Sequence, residues 1–328
     1  MVFRAAALVL IASFRLAAAE PPKVLWRDPG PVGKLDFAGA LGAPVQAPKA
    51  PYQFIREDLS GTQPKVVVKD ANGTEWNVKF GYEVKPEAFS WRFAKAAGYY
   101  AEPCFFVATG QILSLPKLKR SSQSLQPDGK FTSARFQWRD KTYQFLESQN
   151  WSWTRNPFLH SKELAGLKIV LMLSSNFDNK DGSDTFGPNT GIFLHHPENG
   201  REEWVYTFTD WGSSMGFWGA KTGQTDWRCE DYTKQTPEFV QGVSNGEVKF
   251  GYAGIHTDDF KRDIHPADVA WLMRYLGQIT DEQLRAALRS SGATPQEETC
   301  FTAAIRARLE QLKKIGEAGT KPAPPIRH

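Results

Sequence analysis

Cysteine is scarce: three residues in 328 leave no room for a disulfide framework, and Cys104, Cys229 and Cys300 lack the clustered spacing of a zinc site. Cys104, in the apolar run "EPCFFVA", reads as a small buried residue. Cys229 and Cys300 are free to pair in an oxidising compartment, and their spacing alone leaves that open. A dominant charge is also missing. The formal net charge of +4 is spread without a basic block, which argues against nucleic acid or anionic lipid as the main partner. Beyond the N-terminal stretch no apolar run is long enough to span a bilayer. No internal repeat and no H-E-x-x-H helix is present.

What is present begins with "MVFRAAALVLIASFRLAAAEPP". A basic residue near the start, a short apolar run from Ala5 to Phe14 and small residues Ala17 to Ala19 read as a secretory signal peptide over residues 1–19. An amphipathic N-terminal helix is the alternative. Export to the periplasm or out of the cell, with no membrane span left after cleavage, is the expectation. Residues 20–50, rich in Pro, Gly and Ala, read as an extended leader.

Periodicity sharpens after Tyr52. "KVVVKDANGTEWNVKFG" is two β-rich runs joined at Asn72-Gly73, a turn that needs positive φ. Alternation puts Trp76, Val78 and Phe80 on one face and Asn77 and Lys79 on the other. "KPEAFSWRFAKAAG" predicts a helix with Pro86 in its first turn, Phe89 and Phe93 on one face and Gly98 as the stop. "AEPCFFVATGQI" reads as a buried strand, and residues 116–160 as an irregular or β-containing insert. "SKELAGLKIVLMLSSN" is apolar all round, as a helix at the centre of a lobe would be. A strand "TGIFL", the run "EEWVYTFTDWG" and three helices near 266–277, 281–290 and 295–316 follow, with Thr280 and Thr294 as N-caps. The segments read as an N-terminal lobe over 51–115, the insert over 116–160, a C-terminal lobe over 161–318 and a disordered tail over 319–328.

Taken in order, a small loop "SGTQPK", a strand ending in Lys79, a helix opening with Glu87, a buried helix, an Asp/Asn-rich loop and "TDWG" resemble the parts of a divergent, atypical protein-kinase-like enzyme. The pattern is nearer to the HipA-type, phosphoinositide-kinase-like and secretory Fam20-type branches than to ordinary protein kinases. The resemblance covers residues 55–290 and implies an α+β, two-lobed protein-kinase-like fold, with a small β-rich N-lobe and a larger mainly helical C-lobe. It also implies ATP with Mg²⁺ or Mn²⁺ between the lobes and a hydroxyl-bearing acceptor, which a protein, glycan or small molecule would all satisfy.

In such enzymes catalysis is mostly positioning and charge neutralisation. By the resemblance Lys79 holds the nucleotide phosphates and Glu87 holds Lys79, with Glu83 as the weaker candidate. Ser60, Gly61, Thr62 and Lys65 cover the phosphates. Asp210 and Asn189 bind the metal, Asp178 is the catalytic base and Lys180 contacts the transferring group. The family spaces base and asparagine by four residues, whereas ten separate Asp178 from Asn189, so Asp184 stands as rival base. There is no HRD-type histidine or arginine before the aspartate. A calcium loop fails because Lys180 falls on a ligand position of "DNKDGSD". His195-His196 lack a third ligand and read as surface residues. A non-catalytic pseudokinase, or an exported protein- or carbohydrate-binding module suggested by the eleven tryptophans, is the competing reading.

Overall fold

The structure, a computed structural model, describes residues 20–185, 187–219 and 223–319. The signal peptide expected over 1–19, and the expected tail beyond residue 319, lie outside the described residues.

The chain enters as a strap. Residues 20–51 are poor in regular structure, holding β1 (Lys23–Val24) and one 3-10 turn, and they bury Leu25, Val32, Phe37 and Leu41 in the larger core. Strands β2 (Tyr52–Asp58), β3 (Lys65–Lys69) and β4 (Glu75–Phe80) then form a meander. The β3–β4 turn is set by Gly73 at φ 79° and by Asp70 Oδ1, which accepts from Asn72 N and Thr74 N at 2.9 Å each. Helix α1 (Val84–Ala96) follows, then β5 (Cys104–Leu113) and β6 (Lys130–Trp138). The strands close in the order β2-β3-β4-β6-β5. The barrel therefore takes a strand from residues 130–138, inside the stretch expected to be an insert between lobes. Its signal, "KFTSARFQW", mixes polar and aromatic residues because Arg135 is buried against Glu87 of α1 and Gln137 pairs with Arg135 and Glu102.

Inside the barrel Trp76, Val78, Phe80, Phe105, Phe131 and Phe136 pack together, each contributing about 2 kcal/mol through burial. The opposite face of β4 is buried as well: Asn77 and Lys79 are 6% and 8% exposed. Register places Lys79 beside Arg135 of β6 and Lys65 of β3.

The second core is built on α2 (Lys162–Leu173), capped by Ser161 Oγ, which accepts from Leu164 N at 3.1 Å. A four-stranded sheet, β1-β9-β8-β7, uses β7 (Tyr143–Phe145), β8 (Thr190–His195) and β9 (Glu203–Phe208). Two small hairpins, β10 (Phe217–Gly219) with β11 (Gly223–Thr225) and β12 (Val240–Ser244) with β13 (Glu247–Phe250), escape the sequence pattern because their strands are too short to show a period. Between and after them lie α3 (Cys229–Lys234), α4 (Thr257–Lys261), α5 (Pro266–Leu276), α6 (Asp281–Ser290) and α7 (Pro295–Gly319). The last three begin where the sequence predicts, with a Thr280–Gln283 capping box on α6 and Glu297 N donating to Thr294 Oγ1 on α7. Cys229 and Cys300 are bonded, joining α3 to α7, and Cys104 is free and buried. The fold is mixed α+β. Among the described residues no helix is long and apolar enough to cross a membrane.

Candidate active site

Two carboxylates meet Lys79. Its Nζ lies 2.7 Å from Glu83 Oε2 and 2.9 Å from Glu87 Oε2. The two glutamates stand one turn apart at the start of α1, so both the stronger and the weaker sequence candidates reach the lysine. Glu87 also binds Arg135 Nη2 at 3.2 Å. Burial alone would raise the Glu87 carboxyl, but Arg135 and Lys79 pull it below its ordinary value. Burial disfavours the Lys79 ammonium too, and it is nonetheless held above its usual range by Glu87 and Asp210. Glu83, without Arg135, goes the other way, raised by burial against the pull of Lys79. Arg135 had no sequence signal: its place beside Lys79 depends on the β4–β6 pairing.

The loop before β3 lies over this end of the barrel. Gly61 takes φ 61°, Ser60 Oγ donates to Asp58 Oδ1 at 2.7 Å, and Lys65 Nζ donates to Ser60 Oγ at 3.0 Å. Thr62 is exposed. Gln63 Nε2 donates to Glu83 Oε1 at 3.2 Å, tying the loop to the Lys79 cluster.

The Asp/Asn-rich stretch has two parts. Helix α2 ends and Asn176 Nδ2 donates to the Asp210 carbonyl at 2.9 Å, while Phe177 N donates to Ser213 O at 3.1 Å. Asp178 therefore leaves the helix beside the segment carrying Asp210. Asn189 N donates to Lys180 O at 2.9 Å and Thr209 N to Asn189 O at 2.7 Å, and Asn189 Nδ2 donates to the Asp178 carbonyl. Lys180 and Asn189 are thus held together across the loop, and Asp178, Asn189 and Asp210 come together despite the long spacing. Burial raises the Asp178 carboxyl, with Lys180 opposing and Asp210 adding to the rise. Lys180 Nζ is 3.2 Å from Asp178 Oδ2.

Asp184 faces elsewhere. It accepts from Asp181 N at 2.6 Å and lies 2.7 Å from His256 Nε2. Asp181, Asp184 and His256 place ligand atoms within 4.8 Å of one another, yet those atoms already have partners. Asp181 accepts from Trp153 N, Ser183 N and Ser183 Oγ, and His256 Nδ1 meets Asp259 at 3.2 Å. The trio clasps the inserted loop.

Around Lys79 the charges do not balance. Asp226, near Glu83 and Asp210, is raised to about 7 by burial and by those two acids. Its Oδ1 is buried with no partner among the described residues. Four carboxylates, Glu83, Glu87, Asp210 and Asp226, face three cations, Lys79, Arg135 and Lys65, within one electrostatic neighbourhood. That surplus fits a divalent cation. Asn189 uses its nitrogen on the Asp178 carbonyl, so its amide oxygen is the atom that would serve such an ion.

"GSSMG" at 212–216 also matches the spacing of a nucleophile elbow. Ser214 is fully buried, however, its hydroxyl paired with Ser90 Oγ at 2.9 Å and donating to Trp211 O at 2.8 Å, so no activated nucleophile is present there. His195 and His196 pair with Glu203 and Glu202.

No family model matches the chain, and no curated protein is significantly similar to it in sequence. Several solved structures overlap it in part. The Golgi casein kinase does so at TM-score 0.41 and 11% identity, over 84% of this chain and 74% of that one. The same kinase with Mn/ADP bound gives 0.37 and 11%, over 83% and 75%. HipA of Shewanella oneidensis MR-1, in a toxin–antitoxin complex with HipB and operator DNA, gives 0.34 and 13%, over 87% and 80%. Overlaps this shallow carry no argument about function, so the geometry of the chain itself has to.

Proposed function

We propose that the chain is an exported, two-lobed, kinase-like phosphotransferase that moves the terminal phosphoryl group of ATP, with Mg²⁺ or Mn²⁺, to a hydroxyl acceptor. The observation that carries the reading is a convergence of side chains: a buried Lys79–Glu87 pair that feels the charge of Asp210, and Asp178 and Asn189 beside that same aspartate. In this reading Lys79, oriented by Glu87, binds phosphate oxygens, and the loop of Ser60, Gly61, Thr62 and Lys65 covers them. Asp210 and Asn189 hold the divalent cation, which when bound neutralises phosphate charge. Asp178 orients the acceptor hydroxyl and takes its proton as the oxygen bonds to phosphorus and the bond to the nucleoside diphosphate breaks. Burial and Asp210 raise the Asp178 carboxyl, which makes it a better proton acceptor. Export is supported by the N-terminal pattern and agrees with a cross-link between Cys229 and Cys300.

Thermal stabilisation and ATP turnover with Mg²⁺ or Mn²⁺, for wild type, Asp210→Ala and Asp178→Ala, test the reading. Expected is nucleotide stabilisation lost in Asp210→Ala, and turnover lost about 10²- to 10⁴-fold with binding kept in Asp178→Ala. Metal-nucleotide binding without turnover moves the chain to the pseudokinases. No nucleotide effect on the wild type sinks both.

A further inference from the structure

Away from that site, α1 ends against the N-terminal strap. Trp26 Nε1 donates to Ala97 O at 2.7 Å and Arg27 N to Gly98 O at 2.9 Å. Strap and helix do not close everywhere. Between residues 24–29, Leu41-Gly42, the last turn of α1 and Tyr143 lies a cavity of about 350 Å³, within the size range of small-molecule sites.

Its walls are aromatic and cationic. Trp26, Tyr99, Tyr100 and Tyr143 line it, with Tyr143 sandwiched between Tyr100 at 4.3 Å and His195 at 4.1 Å, so that it offers the cavity its edge. Of the charged residues, Arg27 is engaged by Glu203, and Asp28 Oδ1 accepts from Gly30 N at 2.8 Å. Lys95 is half-buried, and its ammonium makes no hydrogen bond or ion pair among the described residues. Burial and the like charge of Arg27 both disfavour its ammonium, and Asp140 is the acid that opposes them. The Asp140 carboxylate already accepts from Thr142 N and Oγ1 at 2.9 and 2.8 Å. A half-buried cation with no partner in an aromatic chamber is a cost that an anion would relieve.

We propose that this cavity is a second ligand site, taking a small molecule with a planar apolar body and one anionic group, the anion on Lys95 and the ring system against Trp26 and the edge of Tyr143. The site does not depend on the phosphotransferase reading. It does adjoin the same helix: Lys95 stands eight positions after Glu87 on α1, about two turns along. Tyr100 also lines the much smaller cavity that touches Glu87 and Thr209.

The probe is 8-anilinonaphthalene-1-sulfonate, titrated by fluorescence into the folded chain, with neutral N-phenyl-1-naphthylamine as the uncharged control. Expected is one saturable site for the sulfonate. Lys95→Gln weakens it about tenfold or more, Lys95→Arg restores it to within about threefold, and the neutral probe is indifferent to both changes. Leu35→Trp, which fills the cavity from its wall, abolishes binding of both probes. Unchanged sulfonate affinity in Lys95→Gln, unchanged binding in Leu35→Trp, or binding without saturation each overturns the proposal.

Discussion

Glu102 offers a test that needs no substrate. Its side chain is 16% exposed, and its nearest cation, the largely exposed Arg139, is 3.9 Å away. One carboxyl oxygen accepts from Gln137 Nε2 at 2.7 Å. Burial raises this carboxyl from 4.5 to about 7, with Arg139 and Arg135 opposing and Glu87 adding to the rise. The folded chain therefore holds a proton that the unfolded chain releases, so stability falls as pH rises from about 4.5 to about 7 and then stays low. A displacement of about 2.5 pH units, at about 1.4 kcal/mol each, caps the cost at about 3.5 kcal/mol. Glu102→Gln keeps the acceptor for Gln137 and removes the charge. Urea unfolding of both proteins at pH 5, 6, 7 and 8 should give curves that nearly coincide at pH 5, with the variant more stable by about 2–3 kcal/mol at pH 8. The difference between the two proteins isolates this group from every other titration. A difference that does not change with pH, or a variant less stable at pH 8, refutes the reasoning.

Three further outcomes follow from the geometry. Asp184→Asn should leave ATP turnover within about threefold, because the carboxylate belongs to His256, while costing roughly 1 kcal/mol near pH 6. Burial opposes the His256 cation, but Asp184, Asp181 and Asp259 raise it. Its contribution is thus full below the unfolded value of 6.5 and fades as pH climbs through the raised folded value, so the loss in the variant should shrink by pH 9. Turnover lost as deeply as in Asp178→Ala would hand the base role to Asp184. Cys300→Ser opens a cross-link with a sequence separation of 71 and should cost up to about 4 kcal/mol. Denaturant midpoints should fall with dithiothreitol in the wild type and stay put in the variant, and a wild type indifferent to reductant would contradict the bond. Gly98 holds φ 92°, and a Cβ there would lie 2.3 Å from both Arg27 O and Trp26 Nε1. Gly98→Ala should therefore lower stability by at least about 2 kcal/mol in the same assay, and a neutral result would mean the strap is not seated on α1.

Local signals carried much of this architecture. The Asn72-Gly73 turn, the alternation that separates Lys79 from Trp76, Val78 and Phe80, and the caps at Thr280 and Thr294 are each properties of a few neighbouring residues. What alternation cannot say is what covers a face. The side of β4 holding Lys79 reads equally as solvent-facing, and only α1 lying over it buries the lysine with two glutamates. Arg135 was invisible for a related reason: it reaches Glu87 through pairing with β4, and no residue near it in sequence records that partner.

The spacing between Asp178 and Asn189 is the sharpest case of local reasoning reaching its limit. A fixed gap matters in a sequence pattern because it stands in for a distance, and a loop that closes on itself breaks the substitution. Here the closure is the bond from Asn189 N to Lys180 O at 2.9 Å. Asp181 and Asp184, the carboxylates that make the loop look like chemistry, are the groups that shape it, through Trp153, Ser183 and His256. Residues 181–188 then add length without separating their ends, so a shorter loop that keeps the Lys180–Asn189 closure should preserve the site, whereas Asp181→Ala, which frees Trp153 N and Ser183, should loosen Asn189 and weaken Mn²⁺ binding while Asp178 itself is untouched. Equal Mn²⁺ affinity in wild type and Asp181→Ala would show that the clasp and the site are independent.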